Sequence, residues 1–91
     1  MKAYVFRIEC YETEPWEPWV MTSYGIRGFY DNKEKAIEEV EKIVLDEQVK
    51  NNAWRNELAK PMSIDDEVYF AELFCKNTKT HYIISEHEVI K

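Results

Sequence analysis

The 91-residue chain carries a formal net charge of −6, and a third of its residues are charged. That length gives room for one hydrophobic core, and the 45% hydrophobic and 14% aromatic content excludes a disordered tail. The acidic residues are spread along the chain, and Lys33, Lys35, Lys42 and Lys50 alternate with Glu34, Glu38, Glu39, Glu41, Asp46 and Glu47. No concentrated cationic stripe forms, so direct binding to nucleic acid is excluded, while an acidic surface facing a basic protein groove is allowed. A domain this small buries roughly 60–65% of the surface its unfolded chain exposes, which leaves modest stability and makes a homodimer an open alternative.

From Ala3 to Tyr11 the side chains alternate, with Tyr4, Phe6, Ile8 and Cys10 on one side and Ala3, Val5, Arg7 and Glu9 on the other, the pattern of a strand. Two prolines between Thr13 and Pro18 interrupt it, and a β-rich pattern resumes from Trp19 to Tyr30, which predicts a hairpin with an irregular tip. Gly25 and Gly28 fall inside the second strand, where glycine marks a bulge, a bend or a close backbone approach. Asp31, with Glu34 three residues later, reads as a capping box that opens a helix. Ala36, Ile37, Val40, Ile43 and Val44 recur at three- and four-residue spacing and carry it to about residue 50, where Asn51 and Asn52 oppose continuation. Ala53, Trp54 and Leu58 suggest either a short second helix over about residues 53–60 or a continuing turn stopped by Pro61. Glu67 to Lys76 is a strand, Asn77 and Thr78 a turn, and Thr80 to Ile90 the last strand.

The expected fold is therefore a single α+β domain over residues 1–91: a four-stranded, mainly antiparallel sheet in ββαββ order with one main helix on one face. One helix covers one face, yet the first and third strands place apolar groups on both. Val5, Val68, Phe70 and Phe74 then need cover from the Trp54 segment, from the loop carrying Trp16 and Trp19, or from a second subunit or partner.

Cys10 and Cys75 each sit in an apolar strand pattern without a CxxC neighbour, and both are read as reduced. Arg7 and Glu9 interrupt any early apolar run and no stretch approaches transmembrane length, so the expectation is a cytoplasmic protein with no membrane partner.

The stretch Gly28-Phe29-Tyr30-Asp31-Asn32-Lys33-Glu34-Lys35-Ala36, with the late strand at Tyr82-Ile83-Ile84, resembles small ββαββ proteins of bacteriophages and Gram-positive bacteria. The resemblance implies a fold and a genomic setting and carries no catalytic residue across. It also implies the class of small acidic phage-encoded inhibitors that bind host defence or transcription proteins.

Candidate chemistry is sparse. His81 and His87 lie six residues apart on one predicted strand, about 20 Å at roughly 3.3 Å per residue, too far to share an ion, and both are read as exposed. Gly25-Ile26-Arg27-Gly28 has the GxxG spacing of a nucleic-acid clamp without the helical context or the cationic surround, and it lacks the Lys-Ser/Thr of a phosphate loop. Asp65-Asp66-Glu67 lacks the spacing and glycine of a calcium loop and reads as a solvated acidic turn. Ser23, Ser63 and Ser85 have no nucleophile-elbow setting and neither cysteine has an adjacent base. No catalytic residue, metal site or cofactor is predicted, and the chain is read as a non-enzyme.

The most informative segment is Glu12-Thr13-Glu14-Pro15-Trp16-Glu17-Pro18-Trp19: rigid aromatic area beside negative charge, with no cation from Ile8 to Tyr24 and prolines that limit the entropy lost on docking. It reads either as a recognition loop or as indoles folded back to cap the sheet. Two functions follow. In the first, Glu12, Glu14, Trp16, Glu17 and Trp19 bind a host protein with a basic surface, as an anti-defence inhibitor would. In the second, Trp16, Trp19, Tyr24 and Arg27 line an aromatic pocket for a nucleotide or metabolite at a dimer interface, with the guanidinium taking a phosphate or carboxylate.

Overall fold

The first strand's alternation continues outward by a residue at each end, giving β1 (Lys2–Glu12). It is followed by β2 (Val20–Tyr30), α1 (Lys33–Lys50), β3 (Trp54–Arg55), β4 (Glu67–Cys75) and β5 (Thr78–Glu88). The computed structural model describes residues 1–14, 17–59 and 66–89. All neighbouring strands pair antiparallel, in the order β2-β1-β5-β4-β3, so the longest pairings bring β5, last in sequence, to the middle of the sheet beside β1.

Several expectations are corrected. The sheet has five strands, not four, and the segment after α1 supplies the fifth where a short second helix was one reading. Trp54 pairs with Phe74 and Arg55 with Leu73. Arg55 also makes a bidentate contact with Glu41 of α1 at 2.7 and 2.9 Å, so a tertiary ion pair and a strand edge outcompete the weak local helix tendency of this stretch. The helix cap is Asn32, whose side chain accepts a hydrogen bond from the Lys35 backbone N–H at 2.9 Å; Asp31 lies one residue outside. In the β4–β5 turn the left-handed residue is Lys76 at φ 54°, one residue before the expected turn at Asn77 and Thr78.

At the helix end, Asn51 is the C-cap and Asn52 takes φ 49°, so the asparagine pair does stop the helix. Ala36, Val40 and Val44 of α1 are fully buried against Tyr4, Phe6, Ala71, Leu73, Tyr82 and Ile84. Tyr82 is pushed up to about 12 by burial first and by nearby Glu47 second. Val68, expected on the far face, joins this core instead: a register shift between Glu67 and Tyr69 makes it the extra residue of a bulge and turns it toward the helix side. Cys10 on β1 and Cys75 on β4 are separated by β5, which lies between their strands, and both are free thiols. No helix among the described residues is long and apolar enough to cross a membrane.

The helix lies over β1, β5 and β4. β2 is left at the edge, joined to the core chiefly through Tyr30, so the helix-free face and the β2 margin stay uncovered among the described residues.

Candidate protein-binding surface

On the helix-free face, the register sets Arg7 opposite Ile83, Glu9 opposite His81, and Glu72 opposite His81 from the other side. His81, expected exposed, is 9% accessible. Its ring sits between those of Tyr11 and Phe70 at centroid distances of 4.9 and 4.8 Å. Nε2 meets Glu72 at 2.6 Å, and Nδ1 faces Glu9 at 3.9 Å. Glu9 also accepts hydrogen bonds from Tyr11 Oη at 2.9 Å and Arg7 Nε at 3.2 Å. Arg7 continues to Glu67 at 2.9 Å, and Asn56 donates to Glu72 at 3.0 Å.

A histidine–carboxylate cluster therefore exists, assembled across three strands, where reading along one strand finds none. Burial first and the bond to Glu9 second push the Tyr11 hydroxyl up to about 12. The rings of Tyr11 and Phe70 flank the histidine, and its nitrogens already face carboxylates. Most polar groups of the cluster are paired within the sheet, while Oε2 of Glu67 is buried with no hydrogen-bond partner among the described residues. Among the described residues no group of three or more His, Cys, Asp or Glu is placed to hold a metal ion.

Toward the β1–β2 hairpin tip this face turns aromatic. Phe74 lies between Trp19, at 6.1 Å, and Trp54, at 5.4 Å. Lys79 Nζ sits 4.6 Å from the Trp19 ring centre and 5.1 Å from that of Tyr11. Trp54 remains 63% exposed and Trp19 37%. Both readings of the Trp loop are thus partly met by Trp19: its indole folds back onto Phe74 and Lys79, and it still shows an edge to solvent.

Glu12, Glu14 and Glu17 are all exposed at this end of the sheet, Glu12 on the helix side, opposite the aromatic row. The loop is tied by the Thr13 hydroxyl, whose single proton is donated to the Glu17 carbonyl at 2.6 Å, with the Glu14 carbonyl 3.1 Å away. The Thr13 N–H donates to the Asn77 carbonyl at 3.0 Å, clamping the hairpin tip to the β4–β5 turn. A cleft of about 460 Å³ lies between Glu12–Glu14 and that turn.

Of the residues singled out from the sequence, the fold gathers Glu12, Glu14, Glu17 and Trp19 at one end of the sheet; Trp16 lies outside the described residues. Tyr24 and Arg27 are not brought to them. Tyr24 pairs with Glu9 in mid-strand and faces the helix-free side. Arg27 is the extra residue of a bulge, and its guanidinium folds back over Gly25, which pairs with Ile8 on the helix side. The two side chains point to opposite faces of this chain's sheet. A Cβ at Gly25 would stand 3.6 Å from Arg27 Cζ, an ordinary van der Waals contact.

Trp54, Phe74 and Lys79 belong to the site and were not singled out as such. Their signal becomes visible only once β3 is known to pair with β4. Searches against known families, curated proteins and solved structures return no match.

Proposed function

We propose that the chain is a non-enzymatic protein-binding domain whose hairpin end docks on a basic surface of a larger protein. The observation that carries this reading is the row Trp19–Phe74–Trp54, open to solvent at both indoles, with the exposed carboxylates of Glu12, Glu14 and Glu17 at the same end of the sheet. Indoles held rigid by a neighbouring ring lose little entropy on docking, and an acidic rim speeds encounter with a cationic partner. The Thr13 hydrogen bonds hold the loop in place before binding, which reduces the ordering cost further.

The narrower reading is a small acidic inhibitor of phage or mobile-element type, directed at a host protein. It draws support from the net charge of −6 and from the resemblance carried by residues 28–36 and 82–84.

The test is affinity capture from host cells with identification of the bound protein, followed by titration of the purified pair. Trp54→Ala and Glu14→Lys should each weaken binding by roughly tenfold or more with an unchanged circular dichroism spectrum, and the wild-type affinity should fall with added salt. Binding untouched by either substitution, or independent of salt, would remove the hairpin end from the interface.

A further inference from the structure

β2 is an outer strand of eleven residues, Val20–Tyr30, and among the described residues nothing pairs with its free edge. Folded proteins usually blunt such an edge with charge, proline or brevity. Here the sequence VMTSYGIRGFY contains no acidic residue and no proline, and its single charge, Arg27, is folded back over Gly25. On the helix-free side the strand presents Met21, Tyr24, Ile26 and Phe29, exposed by 45, 58, 50 and 73%. At ordinary side-chain areas these four show on the order of 400 Å² of largely apolar surface, within the size range of patches that serve as interfaces.

We propose that a second copy of this chain pairs with β2, edge to edge and antiparallel, to make one continuous sheet across a two-fold axis. Self-complementarity selects this occupant: run antiparallel against itself, the free edge of β2 matches its N–H and C=O groups with those of an identical strand. Two chains of net charge −6 repel, and an approach along an acid-free strand keeps their carboxylates apart.

The register follows from the bulges. Thr22 and Arg27 are the extra residues, leaving Ser23–Ile26 as the regular run. Directly opposed residues of an antiparallel pair share a face, so a two-fold at Gly25 places Tyr24 against the second copy's Ile26, twice, with glycine against glycine on the other side, where the two exposed Arg27 side chains swing off the glycines to keep their charges apart. The four exposed side chains supply about half of the roughly 800 Å² that each partner contributes to a standard interface, and backbone hydrogen bonds add to it. This proposal concerns the strand edge and stands apart from the hairpin-end reading above.

Sedimentation velocity under reducing conditions, from micromolar to submillimolar protein, should show a monomer–dimer equilibrium. Amide exchange along Ser23–Ile26 should slow as concentration rises. The doubly substituted Tyr24→Lys, Ile26→Lys chain should raise the dissociation constant by roughly a hundredfold while keeping the wild-type circular dichroism spectrum.

A monomer throughout the range overturns the proposal, as does a dimer that survives the double substitution. So does a dimer whose β2 amides exchange at the monomer rate, which would indicate face-to-face packing. If the variant fails to fold, exchange on the unsubstituted chain decides the matter alone. Protection of β2 only when another polypeptide is added would assign the edge to that partner and refute self-pairing. Loss of capture by Trp54→Ala without change in this equilibrium separates the two proposals.

Discussion

Replacing Arg55 with Met tests whether the short strand β3 is held by its ion pair with α1. Methionine keeps much of the aliphatic packing and removes the guanidinium. In the native protein that group makes two contacts with Glu41, at 2.7 and 2.9 Å, while the Tyr69 hydroxyl donates to the same carboxylate at 2.6 Å. The Arg55 side chain is 18% exposed and that of Glu41 34%, so screening by water reduces the gain from a fully buried pair.

A bidentate, partly buried contact of this kind is worth about 1–2 kcal/mol after that discount. For a domain of this size the loss corresponds to a fall in Tm of ~5–12 °C. The Arg55 bonds, foremost, together with the Tyr69 bond, hold the Glu41 carboxyl below its ordinary value of 4.5.

Its folded-state pKa is thus below that of the unfolded chain. The pair's contribution is complete above the unfolded value and is lost as the pH falls through the folded one. The gap in Tm between wild type and Arg55→Met, followed by circular dichroism melts from neutral pH downward, should therefore narrow below about pH 4.5. A gap that stays constant with pH would show that Arg55 acts through packing alone, and a gap near zero at neutral pH would refute the tethering of β3 altogether.

Two further outcomes follow from the helix cap and the buried tyrosines. Asn32→Ala should cost about 1 kcal/mol in urea unfolding, whereas Asp31→Ala should stay within about 0.5 kcal/mol; equal costs would restore Asp31 as the cap. Tyr82 and Tyr11 are both pushed from 10.0 up to about 12, burial being the leading cause for each. Because their folded-state values are raised, the stability they contribute is intact below pH 10 and is lost as the pH climbs toward 12. An ultraviolet titration should show these tyrosinates appearing late and together with unfolding, and ionisation of all six tyrosines near pH 10 in a still-folded chain would contradict their burial.

How much was legible in the sequence depended on the range of the interaction. The long strands and the helix were readable because their signals are local: alternation in Tyr4, Phe6 and Ile8, and the three-and-four spacing of Ala36, Val40 and Val44, both of which the fold buries on one side. The acidic, tryptophan-bearing hairpin tip was legible for the same reason. A two-residue strand such as Trp54–Arg55 has no period to detect, and its conformation comes from Phe74, Leu73 and Glu41, far away in the chain.

Cross-strand assembly was equally hidden. His81 gains its environment from Glu72, Glu9, Tyr11 and Phe70, on two different strands, so reading along β5 alone placed it in solvent. Bulges removed the rest: an extra residue at Val68 or Arg27 reverses which face a side chain takes, and no alternating pattern announces where it falls. Sequence by itself thus determined the main elements and the chemistry on offer. Tertiary structure decided the partners, because strand order and register, which bring distant residues within a few ångströms, are set by packing over the whole chain.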